Sequence, residues 1–241
     1  MLKAVCLGFS GVVVRDLAVH QRLVEQILLD ENLRPNADDY RQVCLGRSDR
    51  ACLTDLFAQR GRVLPEAALN KLVKAKSERY QSELKTLDKL PLYSGLDDLI
   101  FKLRAAQLPL AIVTGVARAE VEAVLTQAKL IDHFAVIVAG DELPAGGSKP
   151  APDAYLLAVE RFNQVYPEMQ LTVDQCLTVE DAFPGIEAAH RAGIKVVGVA
   201  HTYPFRMMQR RADWVVDYLF EVDLDWIRRV YLNPDTLPTA G

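Results

Sequence analysis

The sequence lacks several features that would assign it to a special class. No apolar run in its 241 residues approaches the roughly 20 residues that a membrane-spanning helix needs. It also lacks a long run of charge of either sign, because 28 basic residues nearly balance 32 acidic ones and leave a formal charge of -4. A basic patch is typical of proteins that bind nucleic acid or an anionic membrane surface. We therefore expect neither nucleic acid nor membrane as a partner.

Cysteine is scarce, and its four copies show no metal or redox motif. None of Cys6, Cys44, Cys52 and Cys176 belongs to a CxxC pair or lies near a histidine cluster. Cys6 and Cys176 lie inside apolar runs typical of strands. The pattern predicts reduced, buried packing residues and a cytoplasmic protein. The absence of a signal-peptide pattern at the N-terminus points the same way.

The hydrophobic pattern changes character along the chain. A strand-like run at residues 4–7 opens into a glycine-containing loop, and from about residue 16 to 89 the apolar residues recur with helical spacing. After residue 90 strands and helices alternate, and the strands are expected at residues 110–113, 135–138, 176–179, 196–199 and 214–216. Alternation of this kind is typical of a parallel sheet with helices on both faces.

The predicted fold class is therefore α/β, with a Rossmann-like parallel sheet flanked by helices and an all-helical cap inserted after the first strand. We predict a discontinuous core domain at residues 1–15 and 90–232 and a cap domain at residues 16–89. Residues 233–241 contain two prolines and end in Thr-Ala-Gly. This composition predicts a flexible C-terminal tail.

Polar or small residues follow four of the predicted strands. They are Gly8 and Ser10 after the first, Thr114 and Gly115 after the second, Lys149 beyond the third, and Glu180 and Asp181 after the fourth. Ligands of such sheets bind at the carboxyl ends of the strands, so these groups are expected to meet in one crevice. A hydroxyl, an ammonium and two carboxylates suit a phosphate and a magnesium ion. Taken singly, Thr114 could instead cap a helix, and Lys149 could be an ordinary solvated lysine.

A family resemblance becomes specific at these same segments. Residues 93–96, 110–115, 148–153, 179–189 and 196–203 resemble, in this order, signatures of haloacid dehalogenase (HAD)-like hydrolases. The most similar subgroup is that of β-phosphoglucomutase and phosphoglycolate phosphatase. The resemblance implies that Thr114, with Gly115, hydrogen-bonds the transferring phosphoryl group and that Lys149 balances its charge. It also implies that Glu180 and Asp181 hold Mg²⁺, with Asp181 favoured as the direct ligand.

The first family motif is degenerate in this sequence. The family supplies two aspartates, spaced i and i+2, as the nucleophile and the acid/base. The segment Leu7-Gly8-Phe9-Ser10-Gly11 aligns with that motif and places Gly8 and Ser10 at the two positions. Glycine cannot attack phosphorus, and a serine hydroxyl needs a base to activate it. None of the four histidines follows a strand end closely enough to be nominated as that base: His20, His133, His190 and His201.

Two further sets of charged residues lie near this motif and in the cap. Asp16 lies eight residues beyond Gly8, too far along the chain to replace the nucleophile. Residues 45–53 resemble the cap segment that faces the active site and selects the substrate in this subgroup. There Arg47 or Arg50 could clamp an anion. The equally good alternative is a helix N-terminus capped by Ser48, with solvated arginines.

These observations leave three hypotheses about function. The first is a catalytically impaired pseudoenzyme that binds phosphate, a phosphorylated metabolite or a protein partner. The second is an active phosphatase or phosphomutase that uses an unorthodox group or water held by Mg²⁺ on Glu180 and Asp181. The third is a structural scaffold with an empty crevice. Mg²⁺ binding is expected to be weakened, because the first strand has lost both carboxylates.

Overall fold

The computed structural model describes residues 1–233, and its centre is a six-stranded sheet in which every neighbouring pair is parallel. The strand order is β3-β2-β1-β4-β5-β6. The strands are Ala4–Leu7 (β1), Leu110–Val113 (β2), Phe134–Val138 (β3), Cys176–Glu180 (β4), Lys195–Val199 (β5) and Trp214–Val216 (β6). The predicted α/β class is confirmed, and so are the predicted strands to within one residue at each end. Strand β1 lies at the centre, between β2 and β4.

The central strands are apolar throughout because both faces of the sheet are covered. All residues of β1 and β2 are buried, as expected for a parallel sheet between helical layers. Alternate residues of each strand contribute to two different cores. Val5 and Leu7 join one cluster, whereas Ala4 and Cys6 join the cluster on the opposite face. The helices that cover the sheet are therefore held by burial of apolar surface.

Nine α-helices occur among the described residues. They are Leu17–Asp30 (α1), Asp49–Ala58 (α2), Glu66–Leu84 (α3), Leu96–Ala105 (α4), Arg118–Gln127 (α5), Asp153–Val165 (α6), Phe183–Arg191 (α7), Phe205–Met208 (α8) and Leu224–Leu232 (α9). A π-helical turn spans Tyr40–Cys44, and the 3₁₀ turns are Ile131–His133, Gly140–Glu142, Pro167–Met169, Val173–Gln175 and Leu219–Glu221. Helix α2 begins after Ser48, whose side chain accepts a hydrogen bond from the Ala51 amide, so the predicted N-cap is confirmed.

Helices α1, α2 and α3 lie between β1 and α4 in the chain and form the predicted all-helical cap. They enclose a third hydrophobic cluster, whose buried members include Val24, Ile27, Leu53, Leu56 and Phe57. The domain boundaries that we drew from the sequence stay predictions. The predicted flexible tail lies outside the described residues, apart from residue 233. No helix among residues 1–233 is both long and apolar enough to cross a bilayer.

The prediction of four reduced cysteines is wrong for one pair. Cys44 and Cys52 form a disulfide, whereas Cys6 and Cys176 are free and buried as expected. The π-helical turn ends at Cys44, and α2 turns the chain back so that the two Cα atoms lie 4.6 Å apart. That separation is within the range in which a disulfide can form. The spacing of eight residues does not predict this disulfide, because the approach of the two cysteines depends on the turn between them.

Candidate active site

The ends of β1, β2 and β4 and the cap together enclose a small crevice. Its volume is about 40 Å³, which holds a few water molecules. Most of the residues predicted from the sequence line it, and these are Gly8, Ser10, Thr114, Gly115, Lys149, Glu180, Asp181 and Arg47. Arg50 does not. The convergence expected from the ends of parallel strands is therefore present in the structure.

The segment after β2 serves both the crevice and the contact with the cap. The Thr114 hydroxyl accepts a hydrogen bond of 3.3 Å from the Val116 amide, which is the local turn-capping role considered above. At Gly115, any Cβ would collide with the backbone carbonyl of Arg47 in the cap. The Gly115 carbonyl also accepts a hydrogen bond of 3.3 Å from the Asp49 amide. Glycine at this position thus allows the cap backbone to approach the core directly.

Lys149 already has its charge balanced by a carboxylate. Its ammonium group donates to Glu180 and, at 3.0 Å, to the carbonyl of Val113. The same Glu180 oxygen accepts a hydrogen bond of 2.8 Å from the Tyr155 hydroxyl. Both charged side chains are 4% exposed, so the pair is shielded from solvent. An arriving phosphate would therefore compete with Glu180 for the lysine.

The carboxylate of Glu180 lies close to where a side chain at residue 8 would begin. A Cβ atom at Gly8 would be 3.4 Å from the Glu180 carboxyl carbon and 3.0 Å from Cγ2 of Val12. An aspartate at this position would thus bring a second carboxylate beside Glu180. Next to it, Gly11 has a φ of +86°, and a Cβ there would collide with the carboxylate of Asp181. The loop after β1 is shaped around the acidic residues at the end of β4, Glu180 and Asp181.

Asp181 is buried and has an unusual acidity. Burial, together with the nearby Glu180 carboxylate, raises the pKa of Asp181 to about 7. The Thr202 hydroxyl donates to one of its oxygens, and its own amide donates to Glu180 at 3.2 Å. A carboxyl group with this pKa is partly protonated near neutral pH. Protonation weakens its value as a cation ligand.

The residues present fit a magnesium ion poorly. Within residues 1–233, no three histidine, cysteine, aspartate or glutamate side chains lie close enough together to share a metal ion. Of the two remaining carboxylates, Glu180 already binds Lys149 and Asp181 accepts from Thr202. Protein sites for Mg²⁺ use one or two free carboxylates together with water and substrate oxygens. In this arrangement neither carboxylate is free to bind a cation.

The expectation that no histidine lies near Ser10 is wrong. The loop after β1 turns back, and the first turn of α1 places Nε2 of His20 3.3 Å from the Ser10 hydroxyl oxygen. His20 is buried on the same helix face as Leu23, Val24 and Ile27. That spacing of i, i+3, i+4 and i+7 is the signal that could have located it.

His20 does not form a catalytic triad with Ser10 and Asp16. Its Nε2 also lies 3.1 Å from an Asp16 oxygen, so one nitrogen faces both partners, whereas a triad uses both ring nitrogens. Asp16 also accepts a hydrogen bond of 2.5 Å from Tyr80. Burial alone would raise the pKa of Asp16, but the His20 charge and the hydrogen bonds hold it below its ordinary value. Asp16 thus lies behind Ser10, with His20 and Tyr80 as its partners.

A buried lysine that the sequence reasoning missed joins the cap to the core. The Lys76 ammonium lies 2.8 Å from a carboxylate oxygen of Asp49 in the cap and 3.5 Å from Glu120 on α5 of the core. Burial raises the pKa of Glu120 even though Lys76 lies beside it. In the sequence, Lys76 stands three residues after Val73 and four before Tyr80, on an apolar helix stripe. A charge in that position is the signal that could have been followed.

The two arginines of the cap segment have different surroundings. Arg47 lines the crevice, but its guanidinium is paired with Asp55 at 2.7 Å and donates to the Val43 carbonyl at 2.9 Å. Arg50 pairs with Glu66 at 2.8 Å and lines a separate cavity of about 390 Å³ between cap and core. Arg47 could reach an anion in the crevice only by leaving its partners.

The sheet order, the helical insert after β1 and the residues at the strand ends define a phosphatase-type hydrolase fold. The family model described as haloacid dehalogenase-like hydrolase matches residues 9–199. The chain therefore belongs to the haloacid dehalogenase-like hydrolase family. Among curated relatives, protein CbbY of Rhodobacter capsulatus is 30% identical over 218 residues, which cover 88% of this chain and 92% of that protein. Phosphoglycolate phosphatase of Pasteurella multocida is 33% identical over 163 residues, 66% of this chain and 67% of that protein.

Solved structures show the same fold at lower identity. β-Phosphoglucomutase of Clostridium difficile superposes with a TM-score of 0.83 at 18% identity, covering 98% of this chain and all of that one. CbbY of Rhodobacter sphaeroides, in complex with phosphate, gives a TM-score of 0.77 at 22% identity over 92% of this chain and 97% of that one. These similarities establish the fold.

Proposed function

We propose that this chain is a catalytically impaired member of its family that binds a small phosphorylated metabolite. The single observation that carries the proposal is the end of β1, where Gly8 offers no nucleophile and the neighbouring Glu180 carboxylate is paired with Lys149. In the family, covalent attack by a carboxylate and proton transfer by a second one drive phosphoryl transfer. Proton transfer alone typically contributes a factor of about 100 to 10,000 in rate. Losing both groups leaves no efficient route to turnover.

The proposed ligand class rests on what remains in the crevice. Thr114, Gly115 and Lys149 would contact a phosphoryl group, and Arg47 lies at the cap side of the same space. Structures of the relative CbbY hold phosphate and xylulose-(1,5)bisphosphate. A cavity of about 40 Å³ is too small for a sugar phosphate, so binding requires the cap to open. If the binding experiment described below detects no phosphate binding, a protein partner becomes the better proposal for what this chain binds.

The activity test compares the natural chain with repaired variants. Hydrolysis of p-nitrophenyl phosphate and of a panel of sugar phosphates is measured for the natural chain, for Gly8→Asp with Ser10→Asp, and for the matched control Gly8→Asn with Ser10→Asn. We expect no turnover above background for the natural chain and the asparagine control. Turnover by the natural chain would contradict the proposal. Activity gained only by the aspartate variant would show that the rest of the site is intact.

The binding test uses inorganic phosphate as the probe. A ligand that binds only the folded state raises the melting temperature in a concentration-dependent way. We expect phosphate to raise the melting temperature of the natural chain and to have a smaller effect on Thr114→Val, which keeps the side-chain volume but loses the hydroxyl. No shift at any phosphate concentration would contradict metabolite binding and favour a protein partner or a scaffold.

One observation favours an active enzyme as the second candidate. Ser10 has a histidine within 3.3 Å, so Ser10 and His20 could together move a proton to or from a substrate. In that case the natural chain would hydrolyse at least one of the phosphates, and His20→Gln would abolish the activity. The same assay panel therefore separates the two candidates.

The cofactor and the location also remain proposals. Members of this family generally use Mg²⁺, and we propose that this chain binds it weakly, with Asp181 and Glu180 as the nearest carboxylates. We also propose a cytoplasmic location, which the free, buried Cys6 and Cys176 and the family support and which the Cys44–Cys52 disulfide does not.

A further inference from the structure

The Cys44–Cys52 disulfide joins the two ends of residues 45–51, the part of the cap that lies over the crevice. Helix α2 starts at Asp49, so the residues between the two cysteines consist of a short loop and the first turn of that helix. Both cysteines line the crevice, and both belong to the buried cluster inside the cap. The disulfide therefore lies at the meeting point of the cap interior and the candidate site.

Residues of this segment contact three loops of the core. The Ser48 amide donates to the Ser148 hydroxyl at 2.8 Å, beside Lys149. The Asp49 amide donates to the Gly115 carbonyl at 3.3 Å, next to Thr114. Gly46 approaches Ala182, since a Cβ at Gly46 would lie 3.0 Å from the Ala182 Cβ. The loops reached are those that carry the phosphate-binding and acidic residues.

The disulfide constrains this segment rather than the whole fold. Its sequence separation is eight residues, so it restricts a short loop, and a short loop gains less from cross-linking than a long one. Cys44 and Cys52 are only 4% and 2% exposed. Both residues line the crevice, so a reductant gains access to the sulfur atoms more easily when the cap segment moves away from the core.

We propose that Cys44 and Cys52 are a thiol–disulfide exchange site that controls closure of the cap over the crevice. A dithiol reductant attacks one sulfur as the thiolate, the Cys44–Cys52 bond breaks, and a mixed disulfide forms. The second thiolate of the reductant then displaces the protein sulfur. The reductant leaves as a disulfide, and Cys44 and Cys52 become thiols with two electrons and two protons gained. Oxidation by a disulfide of the same class reverses the reaction.

The disulfide form holds residues 45–51 on the core, and the dithiol form releases them. This inference does not depend on the proposed function, because it concerns the movement of the segment and not what binds beneath it. The two other cysteines take no part. Burial raises the pKa of the Cys6 thiol to about 12, and burial also raises that of Cys176, so neither forms a reactive thiolate.

The experiment follows amide hydrogen exchange in the full chain before and after reduction with dithiothreitol. We expect the Ser48 and Asp49 amides to exchange about tenfold faster after reduction, a coupling of ordinary size. The amides of β1, β2 and β4 should keep their rates. Intact-mass analysis after alkylation should show two modified thiols, Cys44 and Cys52, in the reduced folded protein and none in the oxidised one.

The variant Cys44→Ala with Cys52→Ala provides the control. It should exchange like the reduced natural chain and should not respond to dithiothreitol. If this variant does not fold, the oxidised and reduced forms of the natural chain still decide the question. Unchanged exchange at Ser48 and Asp49 after reduction would overturn the proposal. Equal acceleration of the strands would also overturn it, because the disulfide would then support the whole fold.

Discussion

Strand β1 is followed by Gly8, which has no side chain, whereas its neighbour β4 ends in Glu180, a buried carboxylate paired with Lys149. The two strands share a regular parallel ladder from Ala4 to Leu7, and the Gly8 amide continues it by donating to the Val179 carbonyl at 2.9 Å. Because main-chain hydrogen bonds hold this edge together, its side chains can change while the sheet does not. The comparison shows that main-chain hydrogen bonds determine the strand pairing, whereas the side chains that follow the strands determine which reaction the site can perform.

The difference also shows which strand supplies the charge at this edge of the sheet. Here the carboxylate beside Gly8 comes from Glu180 of the neighbouring strand. Lys149 thereby keeps a partner in a place where a lone buried charge would be costly. Three substitutions test this account, two on the β4 side and one on the β1 side.

The largest effect is expected at Lys149. Replacing it by methionine leaves the buried Glu180 carboxylate without its cation, which typically costs about 3 to 5 kcal/mol of unfolding free energy. Urea denaturation monitored by circular dichroism measures the loss. The double variant Lys149→Met with Glu180→Gln should recover most of it, because neither charge is then buried. If the double variant is as unstable as the single one, the pair is not what stabilises this strand end.

An intermediate effect is expected at Asp181, and it depends on pH. The pKa of this carboxyl is raised to about 7 from 3.8, so the folded state holds the proton more tightly than the unfolded state does. Its contribution to stability is present below the unfolded-state pKa and is lost as the pH rises through about 7.

Asp181→Asn should therefore reduce the fall in stability between acid and mildly alkaline pH by up to about 4 kcal/mol, since each unit of pKa corresponds to about 1.4 kcal/mol. Urea denaturation over that pH range measures it. The matched control is Asp132→Asn at an exposed position, which should leave the profile unchanged. A profile that is equally steep in natural chain and Asp181→Asn would show that the carboxyl titrates normally.

The smallest effect is expected on the β1 side. Ser10→Ala removes a hydrogen bond of 3.3 Å to His20 and a hydrogen bond to the Asp16 carboxylate, and His20 keeps its contact with Asp16. A hydrogen bond of this kind contributes about 1 kcal/mol or less. Thermal denaturation beside Ser82→Ala, an exposed serine on α3, gives the comparison. A loss as large as that of Lys149→Met would mean that the two strand ends differ less than described here.

The sequence was sufficient for the sheet and for most of the crevice, because both depend on local patterns. Apolar runs marked the strands, and the parallel arrangement brought Thr114, Lys149 and Asp181 to one edge. The contacts of Ser10 could not be read in the same way. They depend on the loop of residues 11–16, which folds back. Ser10 and His20 are ten residues apart and do not lie in the same helix or strand, so no periodic pattern predicts their contact.

Two other features depend on packing between distant segments. Tyr155 reaches Glu180 because α6 lies against the sheet, and an apolar helix face containing a tyrosine gives no hint of the hydrogen-bond partner. The disulfide joins two helical segments across a turn whose shape the spacing does not reveal. The placement of Arg50 outside the crevice follows from the direction in which α2 starts, which a motif alone does not specify.

Lys76 has a consequence for the resting position of the cap. Its ammonium group is shared between Asp49 of the cap and Glu120 of the core, and the lysine side chain is inaccessible to solvent. Moving the cap outward would separate Glu120 from this cation and expose both charged groups to water. Opening the cap therefore requires the Lys76–Glu120 contact to break, and the hydration of Glu120 offsets part of the free energy that this costs.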